Sequence, residues 1–342
     1  MTRALQCRPR RGPLLSHAPS GPGEAATAAG TAILAVLLIL SAAPPAAGGG
    51  GSATQGAFPD LPWGAGGAVF GSGACAWSRD PAALSWNPAR TLRVPGRQLM
   101  GGTGDLYDLG LVRHSFVAAT FPVYPKIVTA DGGGRLQRRA AETPSRAWSV
   151  GADILELDAV DDIYRETRIS LAYAAPAMRR SAIGLRVSYL SIGGDLDELG
   201  ASGYDLDLGF DTVLHESFQL GVVVRHLLSS VSWDAGDSER LNLRIAGGLV
   251  YRLHPVLSLP LGAVYDPEGV GLQEVSLGAE YRPLGDLAAL LAGVRHRPED
   301  LEDTLVSGGV ALARGPLRAA YGLVSDEAGL GSTHRFDVTF AF

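Results

Sequence analysis

The sequence predicts an all-β fold: a transmembrane antiparallel β-barrel of about fourteen strands with a short N-terminal helical plug segment in the lumen. Three observations carry this. Segments of about ten residues alternate apolar and polar from about Gln98 to Phe342, each broken by Gly, Pro, Asp or Asn. No apolar stretch beyond the N-terminal leader is long enough for a spanning helix, so entry into a membrane requires a closed barrel. The chain ends on an apolar-aromatic strand with no polar tail.

In chain order, the first element is a targeting segment, residues 1–47. Arg3, Arg8, Arg10 and Arg11 form a basic start, and the run Ala29–Ala43 falls short of the ~20 residues of a membrane helix. Small residues and prolines follow, as at a cleavage region, so a signal peptide is expected; an uncleaved membrane anchor is the alternative. Residues 48–60 are Gly/Ser-rich and read as a flexible linker.

Residues 61–96 read as a plug segment. Gly-rich sequence leads into a short helix near Ser78–Trp86, with Asp80 as its N-cap before Pro81. Pro88 disfavours helical backbone in the residue before it, which ends the helix near Asn87. Trp77, Leu84 and Trp86 are too apolar for a free linker, and they are the candidate lining for any apolar ligand, beside Asn87 and Pro88. Asn87 is expected to pin the segment by bonding to backbone groups of the barrel wall.

Residues 97–342 form the barrel. In the last segment Phe336, Val338, Phe340 and Phe342 share one face, and Arg335, Asp337, Thr339 and Ala341 share the other. Tyr204, Leu206, Leu208 and Phe210 alternate in the same way with Asp205, Asp207, Gly209 and Asp211. Strand centres are expected near Thr103, Val117, Ile154, Leu171, Val187, Leu208, Val222, Ala246, Leu261, Leu277, Ala292, Val310, Tyr321 and Val338. The longest connection, from about Pro122 to Pro144, reads as an exposed loop on the outer side, because periplasmic turns are short. A soluble β-sandwich alternates similarly and remains the competing architecture.

The polar face carries Arg168, Arg186, Arg225, Arg244, Arg252, Arg318 and Arg335 with Asp205, Asp207, Glu274, Glu280 and Asp337. In a barrel these project into the lumen. Among them Gly184, Gly209, Gly221, Gly248, Gly278, Gly293 and Gly322 are read as room for long Arg side chains and for bending.

Composition excludes other classes. The net charge of −6 and the lack of a basic stripe argue against nucleic acid. Of the two cysteines, Cys7 lies in the leader, leaving Cys75 as a small buried residue. No nucleophile elbow, phosphate loop or zinc motif occurs, and His226, His254, His296 and His334 lack ligand spacing. Asp158, Asp161 and Asp162 read as a solvated turn. No catalytic residue, cofactor or metal is expected.

The stretch RDPAALSWNPART, Arg79–Thr91, resembles the N-terminal signature of the PorV/PorQ proteins, within the wider FadL-type superfamily of outer-membrane transporters. Asp80, Ala83, Leu84, Trp86, Asn87, Pro88 and Ala89 carry the resemblance; Arg90 stands where glycine is usual. Gly331, Thr333, His334, Arg335 and Phe342 resemble the family's ending, and Tyr204–Leu227 and Val275–His296 resemble family strands. The resemblance implies a fourteen-stranded barrel in the outer membrane of a diderm bacterium, with the N-terminal segment in its lumen. It implies either attachment to protein-secretion partners for surface export, or passage of hydrophobic small molecules such as long-chain fatty acids or hydrocarbons. A structural barrel without transport is a third role. Phe336, Val338, Phe340 and Phe342 resemble the signal read by the barrel-assembly machinery. A continuous apolar tunnel would mark the small-molecule role. A lumen sealed by Arg–carboxylate pairs, with a large apolar surface at one mouth, would mark the protein-docking role.

Overall fold

Period-2 alternation buries one face of each long strand, and the long strands pair in sequence order as an antiparallel meander, with one short hairpin set apart from the ring. The computed structural model describes residues 57–342 except 131–135, 141–142, 160–161, 195–199, 270, 299–303 and 326–330. The expected signal peptide and residues 48–56 of the expected linker lie outside the described residues.

The strands are β1 (Gln98–Leu106), β2 (Val112–Val123), β3 (Lys126–Ala130), β4 (Leu136–Ala140), β5 (Arg146–Ala159), β6 (Asp162–Met178), β7 (Ser181–Gly194), β8 (Ala201–His215) and β9 (Phe218–Trp233). They continue as β10 (Ser238–Glu239), β11 (Arg244–His254), β12 (Leu257–Asp266), β13 (Gly271–Tyr281), β14 (Ala288–His296), β15 (Thr304–Arg314), β16 (Leu317–Val324) and β17 (Thr333–Ala341). Without the two-residue β10, the 15-stranded sheet is a ring of fourteen long strands, each holding one of the expected centres. β17 pairs with β1 from Gln98↔Ala341 to Asp105↔His334, and the β8–β9 pairing completes the closure.

Closure leaves two chemically opposite faces. Leu99, Val117, Ile169, Leu185, Val187, Val310, Phe336 and Phe340 are all exposed on the outer wall. Arg168, Arg186, Asp205, Asp207, Glu280 and Asp337 are buried inside. A soluble sandwich buries its apolar face, so this inversion, with lipid-type side chains outside, defines a transmembrane barrel and removes the sandwich alternative. Phe342 and Val338 share the outer face with Phe336 and Phe340.

The two rims differ. At one, two-residue turns separate Met178 from Ser181, His215 from Phe218, His254 from Leu257 and Arg314 from Leu317. The other carries most of the longer connections, the longest joining Trp233 to Arg244. The Pro122–Pro144 connection departs from expectation. β3 and β4 pair within it as a hairpin, and it springs from the short-turn rim, where β2 ends and β5 begins. Length alone placed it outside; strand polarity, counted around the ring, puts it at the rim shared with Gln98 and Phe342.

The N-terminal segment threads the barrel from the long-loop rim to the short-turn rim. Phe58 is tied to Glu166 near the start of β6, and Arg93 to Asp211 near the end of β8. Three short helices lie between, Ala65–Phe70, Ala74–Trp77 and Ala83–Trp86, joined and followed by 3-10 turns at Gly71–Gly73 and Pro88–Arg93. The last helix ends where expected, before Asn87, but starts later, at Ala83 with Ala82 and not Asp80 at its N-cap; the Asp80 carboxylate instead accepts from Ala82 N at 3.2 Å in the turn that leads into it. The first two were unexpected in Gly-rich sequence. Their glycines serve packing: a side chain on Gly66 would collide with the Trp77 ring, and one on Gly67 with Trp86. Residues 57–60, expected in the flexible linker, are instead anchored, with Phe58 buried and its N–H held by the Glu166 carboxylate at 2.9 Å.

Candidate functional site: the plugged lumen and its vestibule

Among the described residues every buried apolar cluster joins plug to wall, so the core is that junction. Trp63 stacks on Phe116 of β2 at 5.3 Å, and Phe70 meets Trp77 edge-on at 4.8 Å. The junction depends on wall glycines. Any Cβ on Gly184 would overlap Pro88 and Ala89 backbone; on Gly209, Asn87 and Ala89; on Gly221, the Cys75 carbonyl; on Gly293, the Val69 carbonyl. Gly248 and Gly262 face the turn around Gly73, Gly278 faces Phe70, and Gly322 faces Ala65. Several pair across strands, as in Gly184↔Gly209, Gly221↔Gly248 and Gly278↔Gly293, so they form a belt at one level. These glycines make room for the plug backbone, not for Arg side chains as the sequence reading held.

Below the belt, toward the short-turn rim, the closure is ionic. Arg90 is buried and bonds Asp211 at 2.9 Å and the Ser78 carbonyl at 2.7 Å. Arg93 takes the second Asp211 oxygen at 2.8 Å, and Gln219 donates to the first at 3.0 Å. Burial pushes Arg90 down to about 10, against the opposing pull of Asp211. Asn87 Nδ2 donates to the Cys75 carbonyl at 3.1 Å and to the Phe210 carbonyl of β8 at 2.9 Å, while its Oδ1 accepts from Ala89 N. One side chain thereby joins two turns of the plug to the wall.

On the other side of the plug, wall and plug share Glu280. It accepts from Trp77 Nε1 at 2.9 Å, Ser258 at 3.0 Å and Arg282 at 2.7 Å, and it pairs with Arg79. Asp337 accepts from Ala65 N at 2.6 Å, with Arg318 at 3.9 Å. Arg252 reaches Gln219 at 2.9 Å.

Toward the long-loop rim, the register of β8 and β9 slips between Leu206 and Leu208, opposite a bulge in β9 where His226 takes φ 56°. The bulge turns Arg225 and His226 inward together. His226 N donates to Asp207 at 2.9 Å, and its Nδ1 meets Asp205 at 3.0 Å. Arg186 bridges Asp207 and Asp205. The ligand atoms of Asp205, Asp207 and His226 lie within 4.8 Å of one another, yet Arg186 already neutralises both carboxylates, so the trio is an ion-pair knot. Strand spacing showed Asp205 and Asp207; nothing in the sequence signalled the bulge that brings His226 to them. A second buried chain runs from Arg335 to His114 at 2.8 Å and from His114 to Asp153 at 3.5 Å.

Asp60 of the plug closes the knot from above. Its Oδ2 faces Arg225 at 3.2 Å and Arg244 at 3.3 Å, and its Oδ1 faces His226 Nε2 at 3.5 Å. Burial alone would raise its carboxyl, but Arg225, His226 and Arg244 hold it well below the usual carboxylate range. Arg225 also lies over the Trp86 ring at 5.6 Å.

Above this contact a cavity of about 620 Å³ opens toward the long-loop rim, a size suited to a small molecule. Asp60, Leu61 and Trp86 form its floor; Leu106, Val112, Leu155 and Val324 form an aliphatic wall; Arg225, Arg244 and Arg295 line a basic side. Of the residues expected to line a ligand, only Trp86 reaches this vestibule. Trp77, Leu84, Asn87 and Pro88 are buried between plug and wall, because the glycine belt draws the plug against the strands. The expected lumen charges Arg186, Asp205, Asp207, Arg225, Arg244, Glu280 and Arg335 all face inward.

No protein-family model and no curated protein matches the chain. Solved structures match in fold. The P. putida toluene transporter TodX aligns with a TM-score of 0.53 at 13% identity, over 82% of this chain and 98% of its own. The CymD monoaromatic hydrocarbon channel gives 0.52 at 14% identity, over 82% and 97%. A Pseudomonas aeruginosa FadL homologue gives 0.50 at 13%, over 81% and 98%. At these identities the likeness is one of fold. The class defined is a closed fourteen-stranded transmembrane barrel of FadL-like build, with its N-terminal segment inside.

Proposed function

We propose that the protein resides in the outer membrane of a diderm bacterium and admits a small molecule from outside into the vestibule, from which passage requires the plug to move. The observation that carries this reading is the cavity of about 620 Å³ facing the long-loop rim and floored by the plug itself. Fold likeness to a toluene transporter and a monoaromatic hydrocarbon channel supports it. Among the described residues the lumen is shut at the glycine belt, so the reading is of a gated path and not an open tunnel. The chain has no catalytic role in this reading. Export begins with a cleaved leader, and the β17 aromatics serve the barrel-assembly machinery.

A second reading, a PorV/PorQ-type barrel that docks secretion partners at its rim, is favoured by the Arg79–Thr91 signature and by a lumen sealed with Arg–carboxylate pairs. One experiment separates the two. A deletion strain is compared with wild type for uptake of radiolabelled toluene and benzoate and for its surface proteome. Lost uptake with an unchanged surface proteome supports gated uptake; the reverse pattern supports secretion and overturns the first reading. The same membranes must show outer-membrane fractionation and heat-modifiable mobility; a soluble, unshifted protein would remove both.

A further inference from the structure

The vestibule holds two arginines whose counter-ion comes from the plug. Arg225 and Arg244 project from neighbouring strands, and both bridge the same oxygen of Asp60. Among the described residues no other carboxylate lies within bridging distance of either. The Nε of each is buried without a hydrogen-bond partner, so one carboxylate leaves part of the pair's donor capacity unused. Asp60 belongs to the non-helical stretch ahead of the first helix, not to the barrel wall. All three groups line the cavity, and beside them stand Leu61, Trp86, Ala246 and Val264.

We propose that Asp60 is a built-in ligand for an organic-anion site: the Arg225–Arg244 pair takes the carboxylate of a compact molecule with an apolar body, which competes with Asp60 and so frees the plug's floor contact with the vestibule, while Phe58 above it stays held by Glu166. This deepens the gated-uptake reading and rests on it. The chemistry follows from the lining. Paired guanidiniums select a planar carboxylate. The cavity size restricts the body to a small ring or short branched chain. A neutral hydrocarbon offers the arginines no carboxylate and leaves Asp60 in place. Competition makes a specific demand: a site occupied by its own carboxylate binds an outside one only in the fraction of molecules where Asp60 has left, and removing Asp60 removes that loss of affinity.

The test measures binding of benzoate and, separately, toluene to the purified full chain in detergent micelles by calorimetry. Wild type is compared with Asp60→Asn and with the double variant Arg225→Gln/Arg244→Gln, each checked for heat-modifiable mobility. Asp60→Asn should bind benzoate at least about tenfold more tightly than wild type, although it lacks a group in contact with the site. The double variant should lose benzoate binding. Equal benzoate affinity in wild type and Asp60→Asn would overturn the competition, as would weaker binding in Asp60→Asn or retained binding in the double variant. Toluene binding without benzoate binding in any variant would overturn the anion site while leaving gated uptake intact. Binding of neither probe would count against both. If the double variant does not fold, Arg244→Gln alone must still weaken benzoate binding.

Discussion

The two ends of the plug are closed by different means. At the short-turn end, Asp211 is saturated by Arg90, Arg93 and Gln219, and plug backbone lies against glycines too closely for any other residue. At the long-loop end, Asp60 faces Arg225, Arg244 and His226 on one side and a cavity on the other. The first arrangement is a seat: moving it strands a buried charge and opens tightly packed backbone. The second is a latch, because its arginines already face a space that another anion can enter. One segment is thus seated below, and above it is held by Phe58 on Glu166 and by an Asp60 contact that faces the vestibule, so the lumen stays shut while that contact responds to what arrives.

The sharpest way to break this contrast is at the seat. Asp211→Ala leaves Arg90 buried without its carboxylate and should cost ~3–5 kcal/mol, read by urea unfolding in lipid vesicles. An effect as small as that of Asp60→Ala would mean the ends do not differ. The outer wall supplies a control of known sign: Leu185→Arg puts a charge on the lipid face and should cost ~2–4 kcal/mol without loosening the plug. Gly209→Val drives a side chain into Asn87 and Ala89, and overpacking should cost ~1–3 kcal/mol with new protease cleavage inside the plug. Asn87→Ala removes the donor to Phe210 and Cys75 and should cost ~1–2 kcal/mol, with partial cleavage. The smallest effect is on the latch. Its Asp60 carboxyl is held below its ordinary value, so the contribution is complete above about pH 4 and is lost only as pH falls through the lowered value. Amide hydrogen exchange at Leu61, corrected for its intrinsic acid dependence, should therefore quicken only in strong acid, and Asp60→Asn should abolish that acid step there while leaving the Phe58 N–H on Glu166 protected.

The strands were legible because a half-buried strand writes its two environments into alternate residues, as Phe336–Phe342 against Arg335–Ala341 shows. The same pattern gave the inward charges, since mid-depth arginine is costly toward lipid. Partners were not legible. Arg90 and Asp211 meet across 121 positions, and only closure of the ring brings them together. The helices at Ala65–Trp77 were hidden because their glycines answer to tryptophan rings packed on them, which overrides helix propensity. His226 was missed because a β-bulge breaks the alternation that makes strands readable. The β3–β4 hairpin was placed at the wrong rim because length is a weaker guide than strand polarity.

The central claim is that the lumen is shut by its own N-terminal segment, and Cys75 reports on it directly. Its side chain is fully buried, its thiol donates to the Trp86 carbonyl and is pushed up to about 11 by burial, and its backbone carbonyl lies against Gly221. A Cys7→Ser chain in intact outer-membrane vesicles is exposed to a water-soluble maleimide at pH 7.5, with Asp211→Ala in the same background as the opened reference. The account predicts no labelling over hours in the first and ready labelling in the second. Prompt, stoichiometric labelling of the otherwise native chain would show an open lumen and contradict it.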